Sequence, residues 1–499
     1  MGLSTLLTPK AILLFVVGYA AVHVFRVYWR LRHVPGPFWA KFTNIQRVSW
    51  VQTGHAHTIH QAVHEQYGDV ARLGPNMVSL ADPSLIPTLY PTRMGFPKSN
   101  FYRTLAPNTA KGALPAVFSS RDEEVHRKLR SPVATLYSMS SALSLEGFVD
   151  KTITLMMEQI DARFVKSQAT FDLANWLQYF AFEVMGTLTF SKRYGFLEQG
   201  HDVNGMLNTI WEFLKGQAPF TQIPWVDELW NKSSFMTKFR GPSGMSILQI
   251  VGKRVAERQG GKVAGEGAGD KDMLSSFLDI QATGAHPPWS VTAWTFSNVI
   301  AGSDSTAVVM RTIWYNLLCN PATLQKLRAE LLEADKANAF AKPYPSWKDV
   351  TDLPYLHGCV MEGLRMHPPF ALPFERVVPK GGMMIGDTFF PEGTEVGMSP
   401  YVVNRHKPTF GEDAEEWNPE RWVVDKELKS RREGAMLSFG AGRRVCLGKH
   451  IAMLELKKIV PALILEYDFE LRDPKRFTVE NFWFFRQFGM DVTVKKRVE

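Results

Sequence analysis

Phe439 to Ala452 reads FGAGRRVCLGKHIA, a glycine-rich, arginine-bearing loop that runs through one cysteine into an apolar helix. It constrains the fold more than any other segment, because it commits a thiol to the point where a loop meets a helix. Backbone N–H groups and the positive helix end lower a thiol pKa there, so Cys446 is poised as a nucleophile or a metal ligand. Gly440, Gly442 and Gly448 permit tight turns and close approach of backbone to a large flat ligand, and Arg444 offers a fork for a carboxylate. A Rossmann turn and a P-loop both fail on spacing. Gly440 and Gly442 lack a third glycine, and Gly448-Lys449 lacks a correctly spaced partner and hydroxyl.

The other two cysteines, Cys319 and Cys359, make an odd count in 499 residues. That argues against a disulfide framework and for a reducing compartment, with both thiols expected to be small buried hydrophobes. With 45% hydrophobic and 12% aromatic residues the chain has ample material for a large core. The net charge of +8 suits an anionic membrane surface, an acidic protein or nucleic acid equally well, but no zinc-finger spacing or long basic run favours nucleic acid.

Ala11 to Trp29, AILLFVVGYAAVHVFRVYW, spans about 28 Å as a helix, against about 30 Å of bilayer hydrocarbon. Lys10 precedes it, whereas Arg26, Arg30, Arg32 and His33 lie at or beyond its end, so the positive-inside bias keeps the rest of the chain cytosolic. No small-residue cleavage site follows, so the segment reads as an uncleaved anchor over residues 1–33. Pro35, Gly36 and Pro37 stiffen the exit from it.

Residues 34–499 read as one large domain, mainly α with small peripheral β-sheets. Phe148–Val165 and Trp176–Phe190 carry apolar residues at helical spacing. Ser290 is the expected cap of a very long helix ending at Cys319, where Asn320 and Pro321 open the next. Asp69–Asp82 reads as a hairpin, with further strands between Phe374 and Val396 and near the C-terminus. Gln259–Lys271, rich in glycine, reads as a flexible connection between helices.

The pattern Phe439-x-x-Gly442-x-Arg444-x-Cys446-x-Gly448 resembles the haem-binding loop of the cytochrome P-450 superfamily. The resemblance implies the cytochrome P-450 fold and haem b held through the Cys446 thiolate, with Phe439 shielding the sulfur and Gly440 and Arg444 at the cofactor. A thiolate ligand pushes electron density that favours O–O cleavage. AGSDST, Ala301 to Thr306, resembles the family's oxygen-activation motif, an acid and an adjacent alcohol that relay protons. Serine stands where threonine is usual, so the relay falls to Asp304 and Ser305, with Thr306 as second alcohol.

Glu362 and Arg365 in MEGLRMHPP, with Arg421 in NPERW, resemble the family's buried Glu-Arg-Arg network behind the haem loop. Arg130 and Arg376 resemble its propionate partners. His126 stands where the family often has tryptophan, four residues before Arg130, and still supplies a hydrogen-bond donor. The family layout places Phe101, Tyr102, Ile300, Ala371, Leu372 and Phe488 around a lipophilic substrate. Arg127, Lys128, Arg443 and Lys449 lie on the cysteine side, where they would steer an acidic reductase.

Taken together, the resemblance implies a monooxygenase anchored in the endoplasmic reticulum membrane. It would insert one atom of O2 into a small lipophilic substrate, using electrons from NADPH passed on by a separate flavoprotein reductase. Phe118–Val133 and Tyr137–Glu146 look like filamentous-fungal enzymes of the pisatin-demethylase-like group, many of which tailor secondary metabolites. Two rivals stand beside this reading. One is a haem-thiolate isomerase or dehydratase that uses no O2, against which the intact Asp304-Ser305 pair counts. The other is a haem sensor, which needs no relay.

Overall fold

The structure is a computed structural model. It describes residues 9–93, 95–109, 112–233, 235, 246–261 and 271–497. Most of the expected Gln259–Lys271 connection, residues 262–270, lies outside them.

A helix over Pro9–Arg30 opens the chain. From Lys10 onward it is long and apolar enough to cross a membrane, with mean hydropathy 1.9 and none of it buried against protein. Its exit is fixed to the body. Leu31 and Val34 pack into a cluster with Val78, Leu80, Ile86 and Leu89. The buried Arg72 guanidinium donates to the carbonyls of Val27, Tyr28, Lys41 and Pro75, which satisfies acceptors at the helix end. Gly36 is required there, since a Cβ would come within 2.3 Å of the Arg72 carbonyl oxygen.

The body is mostly helical, and one long helix, Ser290–Cys319, runs through its core. It packs on Leu173–Phe190, a helix buried on almost every side, as an apolar sequence all round requires. Gly302 sits where they cross, and a Cβ there would meet the Met185 Sδ at 2.4 Å. The expected helices upstream are present as Glu146–Ile160, extended by a π turn over Asp161–Val165, and Leu173–Phe190.

Two expectations change. Ser290 is the first helical residue rather than the cap, because Trp289 takes the cap position without a side-chain bond. Cys319 is exposed, since the long helix reaches the surface there, while Cys359 is buried as expected.

The strands form small peripheral sheets. Val70–Arg72 and Met77–Leu80 are the expected hairpin, extended by Glu395–Gly397 parallel to the second strand and then by Arg376–Val377. Tyr467–Leu471, Asp491–Lys496 and Phe171–Asp172 make a second sheet. A hairpin of Thr478–Phe482 and Phe484–Phe488 packs beside the long helix, where Gln487 donates to the Val308 carbonyl and to Thr312 Oγ1 at 2.9 Å.

Candidate active site

The cysteine loop closes on itself. The Cys446 amide donates to the Phe439 carbonyl at 2.8 Å, and Lys449–Glu466 then continues as helix. Gly442 has φ +60, and a Cβ there would lie 1.9 Å from the Tyr90 carbonyl oxygen, so only glycine allows the loop to lie on Tyr90 and Pro91. Gly440 has φ +66 with no such crowding. Phe439 is half-buried.

Cys446 keeps solvent-accessible surface, yet protein surrounds its sulfur closely enough that burial pushes the thiol up. Both hold for a thiol facing an internal space. The amides of Gly448 and Lys449 and the charge of Arg130 oppose that shift, as a helix start should, but burial outweighs them. The expected lowering is therefore overturned for the protein alone. A bound metal cation deprotonates a coordinating thiol outright.

Around the loop gather three arginines and a lysine. Arg130 Nη1 donates to the Val445 carbonyl at 2.8 Å. Arg376 is buried, donates to Tyr102 Oη at 3.2 Å and stacks over Tyr90. Arg444 donates to Glu123 Oε1 at 2.5 Å and to the Ser120 carbonyl at 2.8 Å. Lys98, which the sequence does not mark, is buried over the Tyr102 ring at 4.0 Å, and burial, then Arg376, Arg444 and Arg130, push its pKa well down, toward the neutral amine.

Glu123 answers part of this charge, and Glu375 is taken by Arg47 and Ser99, each at 2.6 Å. His126 is buried with no hydrogen-bond partner at either ring nitrogen, and burial, then Arg444 and Lys98, pushes its pKa down to about 3. Three arginines whose charge Glu123 answers only in part, beside an unpartnered imidazole, fit a ligand that carries carboxylates. Haem, with two propionates and an iron that accepts a thiolate, matches this donor set.

On the long helix the hydroxyls bond back into the helical ladder without breaking it. Ser305 Oγ donates to the Ala301 carbonyl at 2.6 Å and Ser303 Oγ to Val299 at 2.8 Å. Ala301 is exposed and Ser305 half-buried on one face, while Thr306 is buried. Asp304 turns toward Leu173–Phe190 and accepts from Gln178 Nε2 at 2.6 Å. Burial raises its pKa, against the fields of Arg311 and Arg486 and the Gln178 bond.

Behind the loop, Glu362 and Arg365 are wholly buried and paired at 2.8 Å through both Nε and Nη2. Arg421 Nε reaches Glu362 at 3.4 Å, Trp422 Nε1 at 2.9 Å and the Asn418 amide at 3.0 Å. Asn404, also missed in the sequence, accepts from the Leu437 amide and donates to Ser438, so this assembly holds the entrance to the cysteine loop. Its only signal is a polar residue directly after an apolar run, Tyr401 to Val403.

The substrate candidates divide. Ile300 and Phe488 are half-buried, whereas Phe101, Tyr102, Ala371 and Leu372 are buried. Tyr102 belongs to the cationic cluster, and Ala371 packs with Val308, Tyr401 and Phe485. Phe118, edge-on to Tyr102 and Phe370, is a large exposed aromatic ring at this edge.

A cysteine loop, an acid–alcohol helix and a cationic cluster on this mainly helical scaffold define a haem-thiolate enzyme. The chain belongs to the cytochrome P450 family, whose model matches residues 34–488. It is 68% identical over 501 residues to the cytochrome P450 monooxygenase pkfB of Emericella nidulans, covering 100% of this chain and 97% of that relative. It is 59% identical over 497 residues to asR2 of Sarocladium schorii, another cytochrome P450 monooxygenase, covering 97% and 96%. It is 54% identical over 486 residues to the cytochrome P450 monooxygenase mpaDE of Penicillium brevicompactum, covering 96% of this chain but 57% of that longer protein. The chain is thus an oxidoreductase of the monooxygenase type, acting on an organic substrate with O2.

Proposed function

We propose that residues 1–33 anchor the chain once in the endoplasmic reticulum membrane, with a catalytic domain over 34–499 in the cytosol. The enzyme tailors a lipophilic fungal secondary metabolite, with electrons drawn from NADPH through a separate flavoprotein reductase. The observation that carries this reading is the Cys446 thiol, accessible yet enclosed, beside Arg130, Arg376 and Arg444, whose charge Glu123 answers only in part. The basic residues Arg127 and Lys449, exposed on the cysteine side, suit an acidic reductase.

In this reading Cys446 holds the haem iron, and Arg130, Arg376, Arg444 and His126 receive the propionates. Thiolate-ligated haem supplies the electron density that favours cleaving the O–O bond. Arg444, now paired with Glu123, and His126, whose ring nitrogens have no partner, would donate to those carboxylates. Ser305 and Thr306 present hydroxyls on the long helix, and Asp304, with its pKa raised by burial, takes and gives a proton near neutral pH more readily than an ordinary carboxylate. One oxygen atom enters the substrate and the other leaves as water. Ile300 and Phe488 offer apolar surface to the substrate.

Comparative mass spectrometry of metabolites from the source organism, with and without the gene, tests this. A precursor one oxygen atom lighter should accumulate and be converted to product in reductase-containing microsomes. If the accumulated compound is an isomer of the missing product, the isomerase reading replaces this one.

A further inference from the structure

Asp304 does not stand alone. Gln178, whose Nε2 donates to it, accepts on its other amide atom from Arg311 Nη2 at 2.5 Å. Arg311 is itself buried on the long helix and donates through Nε to the Ala174 carbonyl at 2.8 Å. Asp304, Gln178 and Arg311 therefore form a hydrogen-bonded chain between two core helices.

A second cation approaches from outside that chain. Arg486 lies on the strand Phe484–Phe488, which packs against both helices and is pinned to the long one by its neighbour Gln487. Its guanidinium is stacked over Trp211 at 5.3 Å and over Phe488 at 5.0 Å. Glu480 is its direct partner across the hairpin. Asp202 and Glu212 also lie within its field, so the charge of Arg486 acts through space on Asp304 inside and on three carboxylates outside. Trp211 and Glu212 both belong to the helix Met206–Gln222.

We infer that Arg486 is a positioning residue for the proton relay, a shared counter-ion that ties Asp304 to the C-terminal hairpin and to the helix Met206–Gln222. This rests on reading Asp304 as the relay acid. The stacking rings hold the guanidinium in place, and the three outer carboxylates draw its charge outward. Whatever shifts that helix or hairpin alters how much of the charge Asp304 feels. The groups facing Asp304 are Arg311 on its own helix, Gln178 on the adjacent helix and Arg486 on the hairpin. Asp172 and Tyr179 face Arg311 in turn.

The test is an infrared titration of the holoenzyme that follows the protonated carboxyl band abolished by Asp304→Asn. Arg486→Gln removes a nearby positive charge and should move the band's midpoint upward by about one pH unit, a tenfold change in ionisation constant. Arg486→Lys should restore most of it. Glu480→Gln should move the midpoint down, because it returns charge to the inner side. An unmoved midpoint in Arg486→Gln, or shifts of one sign in both variants, overturns the assignment. Peroxide released per NADPH consumed, measured in parallel against pH, tests the relay itself. If Asp304→Asn leaves that ratio unchanged, the relay reading fails whatever the band does. If Asp304→Asn raises it and Arg486→Gln does not shift its pH dependence, the Arg486 assignment alone fails.

Discussion

Two interior carboxylates, the wholly buried Glu362 behind the cysteine loop and the half-buried Asp304 on the long helix, are treated in opposite ways. Glu362 receives both fork atoms of Arg365 at 2.8 Å, then Trp422, the Asn418 amide and Arg421. Asp304 receives one donor, Gln178, and feels its two arginines only through space. The first is overdetermined, a lock whose every lone pair is filled. The second is left with a proton affinity that its neighbours can tune. Charge alone does not distinguish scaffold from chemistry in this molecule; the number of fixed donors does.

Glu362→Ala breaks the lock and strands a buried Arg365, so it should cost about 3–5 kcal/mol in urea unfolding and lower the haem-loaded fraction. Stability within about 1 kcal/mol of the parent would mean the network is not holding the loop.

Acid should attack a third buried set first. His57 and His60, on the helix Ala56–Tyr67, have pKa values pushed from 6.5 to about 3, by burial and then by Arg405 and Arg47 respectively. The unfolded chain binds protons below 6.5 that the fold refuses, so the stability present in full above 6.5 is lost as pH falls toward 3. The loss is about 1.4 kcal/mol per pH unit for each histidine. Unfolding midpoints followed from neutral to mildly acidic pH should fall accordingly, and less steeply in His60→Gln; a flat profile refutes the neutral-histidine account.

Trp422→Phe removes one donor from Glu362 and should cost about 2 kcal/mol. Arg365 and Arg421 remain, so turnover per haem-loaded molecule should persist. Asp304→Asn should do the reverse. It should leave unfolding within about 1 kcal/mol of the parent, since a neutral amide replaces a carboxylate that burial already disfavours. Product formation should slow by at least about tenfold with more peroxide released, as loss of a proton-transfer group requires. Equal losses of stability in Glu362→Ala and Asp304→Asn would erase the distinction drawn here.

The sequence made the lock more legible than the tuner. Glu362 and Arg365 stand three residues apart on one helix, and Cys446 sits in a loop whose spacing excludes other glycine turns. The α-dominated core, the hairpin at Val70–Leu80 and the long apolar N-terminal helix are likewise readable, because their patterns are local. Lys98, Gln178, Arg311 and Arg486 were not. Gln178 lies 126 residues from Asp304, and nothing in its neighbourhood marks it as more than one polar residue on an apolar helix. Arg444 was foreseen as a fork for a carboxylate, but its Glu123 partner lies 321 residues away, a pairing that only the fold creates. The thiol pKa departs from the sequence expectation for a related reason: helix-start amides can be read from a motif, but the burial that outweighs them cannot.

The central claim is that Cys446 is the thiolate that holds the haem iron. The carbon monoxide difference spectrum of the reduced protein, taken for the parent and for Cys446→Ser at matched haem content, tests it most directly. The thiolate-type band should be present in the parent and absent from Cys446→Ser. Retention of that band by Cys446→Ser would contradict the assignment and, with it, this account of the site.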